Sequence, residues 1–375
     1  MPKNSISEGR REISSSVAPK NRSPSKKASS RSTEAIKLRR IVLTNFKAFD
    51  HLELEFPEPR MKDDPDVFVM GSENGLGKTS VLEACSMLFL GAALNTEDIL
   101  DVLDYRDPVD FMEVMIRAGS KKTSIEGTFT VEGKTANVMV SLSGADKIKV
   151  QGNTSLFRRS VSVPGAESED KVEALFRSLG GFNPEPLVLP PLMYLHSYRK
   201  VQEGSMQLGT IVEEYGRTGP LGTFKIEILR AMMSRGGLFE DPNGDEAEII
   251  LEMLDQLMVE YAGGRVGKLR PSSDNTIEFR VTPADGRASF TFDGLSSGQK
   301  EIISTLFLIW RYTRTQPGII LIDEPELHLN PEWHRGFVRR VHKLAPHNQY
   351  IIATHSEDVF SSVDEDRRIL LEREG

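Results

Sequence analysis

The sequence predicts an α/β protein: a mixed sheet with flanking helices, an inserted middle of helices and strands, and a disordered N-terminal tail. Three observations predict it. Val67-Phe68-Val69-Met70 is a short apolar run that leads into Gly71-Ser72-Glu73-Asn74-Gly75-Leu76-Gly77-Lys78-Thr79, and a helical stretch follows. Ile319-Ile320-Leu321-Ile322 ends at Asp323-Glu324, and Tyr350-Ile351-Ile352-Ala353 ends at Thr354-His355. Runs of this length, alternating with helices, suit strands buried on both faces of a parallel sheet.

The elements follow in order. Residues 1–36 carry eight Lys or Arg against three Glu and almost no large apolar residues. Such a segment cannot bury enough surface to offset its ordering entropy, so it reads as a solvated tail, or a weak electrostatic arm for nucleic acid. Order is expected from Leu38–Leu43 and Leu52–Phe56, two alternating strands around Asn45-Phe46-Lys47-Ala48-Phe49. Ser80 to Leu90 reads as a helix, and Ile125 to Ser143 as a hairpin around Glu132-Gly133-Lys134. Leu187 to His196 reads as one strand, and Lys225 to Tyr261 as two helices broken at Asp241-Pro242-Asn243-Gly244. Gly263-Gly264-Arg265-Val266-Gly267-Lys268 lacks the spacing of a phosphate loop and reads as a flexible loop. Thr276–Val281 and Ala288–Phe292 read as strands. From Gly298 a helix runs to Arg314, a strand spans Gly318–Asp323, a helix Pro331–Leu344 and a strand Tyr350–Ala353. The acidic run Asp364-Glu365-Asp366 reads as a solvated loop.

Bulk properties exclude several classes. No apolar run reaches the roughly 18 residues of a membrane span, and the N-terminus lacks the apolar core of a secretory signal. The only cysteine, Cys85, excludes an intrachain disulfide and fits a reducing compartment. The expectation is a cytoplasmic protein with no membrane partner. Net charge is −8, and with the basic tail set aside the remainder is more negative still. That weighs against general coating of nucleic acid, while a local basic groove stays possible.

Two segments carry the sharpest chemistry. In the first, backbone N–H groups of a glycine-rich turn at a helix N-terminus bind phosphate oxygens. Asn74, Gly75, Gly77, Lys78, Thr79 and Ser80 are the candidate nucleotide contacts, with Lys78 on the β and γ phosphates and Thr79 on Mg²⁺. Ser72 stands where the general pattern has Gly, although Gly71 adjoins it. The alternative is a chance glycine-rich turn. The apolar strand ending at Asp323-Glu324 completes this site: Asp323 for Mg²⁺, Glu324 to polarise an attacking water. A solvated turn is the alternative. His355, at a strand end about thirty residues on, could hydrogen-bond a γ phosphate, or be an ordinary core or surface histidine.

The second segment is Leu295-Ser296-Ser297-Gly298-Gln299. It could be a serine-capped helix start. A helix N-terminus with a free hydroxyl and exposed amides is also an anion receptor.

The order of these elements resembles the ABC-type P-loop ATPases, whose signature is Leu-Ser-Gly-Gly-Gln. With Asn45-Phe46-Lys47-Ala48-Phe49 after the first strand, it resembles their SMC and RecF-like branch more narrowly. Asp323-Glu324-Pro325-Glu326-Leu327-His328-Leu329-Asn330-Pro331-Glu332-Trp333 is similar to OLD-family ATPases and to ATPase subunits of anti-phage systems of Septu, PARIS and retron type. The resemblance covers about residues 37–90 and 290–372. It implies an ATPase head assembled from 37–95 and 290–375, with 96–289 as an inserted subdomain.

It also implies a head-to-head dimer, or a higher assembly of such dimers, around two ATPs. Ser296, Gly298 and Gln299 of one copy would face the γ phosphate held by the other, and Lys47 would lie near the phosphates. The Q-loop glutamine is open between Gln202 and Gln207, after the basic Tyr198-Arg199-Lys200. OLD proteins continue into a metal-dependent nuclease, so with the sequence ending at Gly375 the effector is expected to be a separate polypeptide. The first functional reading is therefore a switch ATPase that controls such an effector, a nuclease, in antiviral defence. A RecF-like DNA-binding ATPase is the second, and the ATP-binding subunit of a transporter the third.

Overall fold

The computed structural model describes residues 35–61, 64–71, 75–93, 114–143, 147–160, 187–189, 191–197, 206–207, 224–236, 245–271, 276–314, 316–327 and 329–372. The basic tail, Asn74, Gln202, Tyr198-Arg199-Lys200 and the break at 241–244 lie outside them.

The apolar runs pair as a central sheet. Its strands are β3 (Asp66–Gly71), β8 (Leu192–Leu195), β13 (Ile319–Asp323), β14 (Gln349–Thr354) and β15 (Arg368–Leu370), with β7 (Leu187–Leu189) at one edge. The order is β15-β3-β14-β13-β8-β7, parallel throughout except for β7 against β8. This order places β14 between the strand that enters the glycine-rich loop and the strand that ends at Asp323. All three strands therefore deliver their carboxyl ends to one edge, where ligands bind in open parallel sheets.

Period-2 alternation makes the sheet two-faced. Along β13, Ile319 and Leu321 enter one apolar cluster while Ile320 and Ile322 enter the other. All four are at most 2% exposed. Burial of each such side chain stabilises by about 1.5–3 kcal/mol, which fixes the strand and hence the height of Asp323.

The first cluster is covered by helix α1 (Lys78–Ala93) and by an antiparallel sheet. That sheet runs β2 (Phe49–Glu55), β1 (Lys37–Phe46), β4 (Lys122–Val131), β5 (Lys134–Ser143), β6 (Lys147–Gly152), and helix α2 (Thr154–Ser160) packs beside it. Fourteen residues of α1 are buried, leaving Thr79 and Ser80 of its first turn to reach the surface. A helix apolar on every side is a core helix, so its N-terminus is held rigidly against the sheet edge.

The second cluster is covered by α3 (Phe224–Arg235), α4 (Glu246–Ala262), α5 (Ser297–Thr313) and α6 (Pro331–Leu344). A third sheet joins β9 (Met206–Gln207), β10 (Gly264–Pro271), β11 (Thr276–Pro283) and β12 (Phe290–Thr291).

Several expectations change here. Gly263–Lys268, expected as a flexible loop, instead holds the left-handed C-cap of α4 at Gly263 and the start of β10 from Gly264. Arg265 pairs with Thr282 and Val266 with Val281, so hydrogen bonding to β11 overrides a glycine-rich composition. Leu187–His196 is not one strand but the short antiparallel pair β7 and β8, and Pro191 just before β8 lacks an N–H donor for a ladder. Asp364-Glu365-Asp366, read as a solvated loop, is exposed, with Asp364 capping the 3₁₀ turn Glu365–Arg367 and Asp366 3.1 Å from Arg60. The region 96–289 contributes β4–β6 to the antiparallel sheet and β8 to the central one, and residues 33–375 group as one unit.

Candidate nucleotide site

The chain leaves β3 at Gly71 and enters α1 at Lys78. Gly75 and Gly77 adopt φ of +80° and +88°, the left-handed region that glycine occupies without cost. A Cβ on Gly77 would lie 2.6 Å from the Phe49 ring, so the loop and the β1–β2 hairpin are fitted to each other. Gly77→Ala therefore imposes left-handed strain of roughly 1–2 kcal/mol together with this clash. It should weaken nucleotide binding by about ten-fold. Titration with a fluorescent ATP analogue checks this; unchanged affinity would show that the loop does not need this conformation.

Three side-chain contacts draw the strand ends together. The Thr79 hydroxyl donates to Asp323 Oδ2 at 2.9 Å. Lys78 Nζ lies 3.2 Å from His355 Nδ1, and His355 Nε2 lies 3.3 Å from Glu324 Oε1. One histidine tautomer serves both contacts, with Nδ1 accepting from the ammonium and an Nε2 proton donated to the carboxylate. Lys78 is 5% exposed, and burial lowers its pKa against the opposing pull of Glu324, Asp323 and Glu326.

Glu324 takes a left-handed φ of +46°, unusual for a residue with a side chain. Its N–H donates to Ala353 O at 2.8 Å, which pins this backbone to the end of β14. Glu326, two residues on, folds back so that its carboxylate accepts from the Thr354 hydroxyl at 2.7 Å and from the His355 N–H at 2.6 Å. Glu326 was not among the sequence candidates.

Lys47 sits in the β1–β2 turn with φ of +48° and forms an ion pair with Glu83 of α1. Burial raises the Glu83 pKa and the Lys47 charge opposes that rise. The expectation put Lys47 near phosphates; the structure places it beside the first turns of α1, on a carboxylate.

The second segment begins α5. Ser296 is the N-cap: its Oγ accepts from Gln299 N–H at 3.3 Å, while Gln299 Oε1 accepts from Ser296 N–H at 3.0 Å. This is a capping box. Gln299 Nε2 donates to Tyr261 O at 2.9 Å, so the Gln299 side chain is committed within its own chain. None of these bonds reaches Lys78, Thr79, Asp323, Glu324 or His355. The structure brings those five together and leaves Ser296, Gly298 and Gln299 elsewhere. Of the Q-loop candidates, Gln207 falls in β9, paired with Thr276.

Comparison with known proteins identifies a family. Residues 73–361 match the family described as "AAA domain, putative AbiEii toxin, Type IV TA system". The chain belongs to this family. Two of its relatives carry the name probable ATPase.

Among its relatives, "Septu protein PtuA" of Bacillus mycoides is 21% identical over 345 residues, covering 90% of this chain and 41% of that protein. "Retron Ec83 probable ATPase" of Escherichia coli is 35% identical over 80 residues, 19% of this chain and 15% of that one. "DNA replication and repair protein RecF" of Listeria monocytogenes is 36% identical over 101 residues, 27% and 25% respectively. The match thus spans less than half the length of each of these relatives. The Smc head domain with an extended coiled coil, derived from Pyrococcus furiosus, overlays with a TM-score of 0.50 at 12% identity. It covers 88% of this chain and 92% of that one, a likeness of fold.

Proposed function

We propose that this chain binds and hydrolyses ATP at the carboxyl edge of its central sheet and acts as a switch that pairs around the nucleotide. The observation that carries the reading is the convergence of Lys78, Thr79, Asp323, Glu324 and His355 through contacts of 2.9–3.3 Å. Lys78 would neutralise the β and γ phosphates, and the loop amides around Gly75 and Gly77 would bind their oxygens. Asn74 and Ser80 flank these groups in sequence and would add contacts from the loop and the first turn of α1.

Mg²⁺ fits the residues present. Thr79 Oγ1 and Asp323 Oδ2 are already 2.9 Å apart, a hydroxyl and a carboxylate of the hard-oxygen type that magnesium takes. Among the described residues no group of three or more His, Cys, Asp or Glu side chains could hold a metal, which suits an ion shared with phosphates rather than caged by protein. The bound ion would offset phosphate charge. Glu324 would accept a proton from the attacking water, and His355 would hydrogen-bond the γ phosphate.

Pairing is supported by the α5 N-terminus. Ser296 and Gly298 open an anion-binding helix start, and the bonds of Ser296 among the described residues stay within that start, so a second copy would complete the site. Lys47 would join the phosphates by exchanging Glu83 for them. With relatives named for Septu and retron systems, our reading is a cytoplasmic protein that controls a separate effector, a nuclease, in antiviral defence; with relatives named for DNA replication and repair, DNA held across the paired heads is the second reading. No described helix is long and apolar enough to cross a membrane.

Light scattering of the purified chain tests the pairing. ATP should raise the mass of the wild type toward two copies, and Lys78→Ala should abolish the response. A mass that does not respond to ATP, in a protein that still binds it, would sink the switch. Salt-dependent DNA binding by the chain alone would move the reading to the RecF-like alternative.

A further inference from the structure

Glu326 is the one carboxylate of the Asp323-Glu324-Pro325-Glu326 run that touches neither Thr79 nor His355's ring. After Glu324 the chain reverses: Leu327 N–H donates to Glu324 O and Leu329 N–H to Glu326 O, each at 3.1 Å. The reversal carries Glu326 across to β14, 28 and 29 residues away in sequence. There one carboxylate oxygen takes the Thr354 hydroxyl and the other takes the His355 amide. Thr354 is 1% exposed, and its Oγ in turn accepts from Ser356 N–H at 3.0 Å.

We infer that Glu326 is the positioning residue of this site, holding the first peptide beyond β14 so that His355 stands between Lys78 and Glu324. Two charge-assisted hydrogen bonds of 2.6 and 2.7 Å are short and directional. They act where β14 stops and no further ladder bond fixes the chain. His355 begins the segment after that strand, and its ring is 35% exposed, so packing alone does not hold it. The left-handed backbone of Glu324 and the clamp of Glu326 thus join the ends of β13 and β14 from opposite directions. Glu326 makes none of these hydrogen bonds to Lys78, Thr79 or Asp323; apart from a charge that favours the Lys78 ammonium as the weakest of three carboxylates, it acts through His355.

The inference rests on the ATPase reading, and a double-mutant cycle separates the two. Glu326→Gln keeps the volume and one acceptor but loses the second acceptor and the charge. It should lower kcat about 30-fold with KM and nucleotide affinity changed less than three-fold. In a His355→Ala background the same change should alter the residual single-turnover rate less than three-fold. Thr354→Val, which keeps the shape but removes both the donor to Glu326 and the acceptor of the Ser356 N–H, should lower kcat by a smaller factor without shifting the thermal midpoint by more than a few degrees. Multiplicative effects of Glu326→Gln and His355→Ala would overturn the inference, as would equal losses in kcat and nucleotide affinity. A wild-type chain that binds ATP without turning it over would overturn the ATPase reading, and the positioning role with it.

Discussion

Glu324→Gln is expected to bind ATP as tightly as the wild type and to hydrolyse it roughly 10²–10⁴-fold more slowly. The change leaves the shape of the side chain and its place beside His355, 3.3 Å away, while removing the basicity that accepts a proton. Its backbone is held by the bond to Ala353 O, so the left-handed turn should survive. Lys78 loses one of the three carboxylates that favour its charge, but Asp323 and Glu326 remain. Phosphate binding should therefore be retained. Single-turnover hydrolysis and filter binding of labelled ATP separate the two effects. Pairing should also persist longer with ATP, because the step that ends it is blocked. Turnover within three-fold of the wild type would remove Glu324 as the general base.

The grouping of the candidate nucleotide site was largely legible because its signals are local. An apolar strand, glycines and Lys78-Thr79 at a helix start fall within residues 66–79, and β13 ends on its carboxylates in the same way. Asn330 before Pro331 fixed the start of α6 by ordinary capping, with Asn330 Oδ1 accepting from Glu332 N–H at 3.2 Å. What stayed hidden depends on partners remote in sequence. Nothing near Glu326 announces Thr354, and nothing near Lys47 announces Glu83, 36 residues on. β10 was missed because its strand character comes from hydrogen bonding to β11 and not from its own glycine-rich residues.

Ser296 and Gln299 show a different limit. Their spacing is that of a capping box, and the structure uses it as one. Capping does not exclude phosphate binding by the neighbouring amides, so both readings stand on the same four residues. For Gln299 the bond to Tyr261 gives the structural role a second support that no local pattern contained.

The largest expected effect on stability lies away from the nucleotide, at Glu227 on α3. Its side chain is 5% exposed and accepts from Arg230 at 3.0 Å, from Arg311 Nε at 2.8 Å and from the Tyr312 hydroxyl at 3.4 Å. Arg311 also reaches Glu246 of α4 at 3.3 Å, and Arg314 pairs with the same carboxylate. One buried carboxylate thus ties α3 to the far end of α5, the helix that begins at Ser297. Burial, with the Glu227 charge beside it, pushes the Tyr312 hydroxyl well above its usual range, so it stays protonated and keeps donating.

Removing one member of such a set leaves the others partly desolvated without a counter-charge, which costs more than the intact pair contributes. Glu227→Ala should therefore lower stability by about 3 kcal/mol, toward the lower end of the range for buried pairs because both arginines are 26% exposed. The double change Glu227→Leu with Arg311→Met replaces charge by apolar volume and should recover most of that loss. Urea midpoints of the two variants decide between charge isolation and lost packing. If the double variant is no more stable than Glu227→Ala, the network holds α3 and α5 by shape and not by its charges.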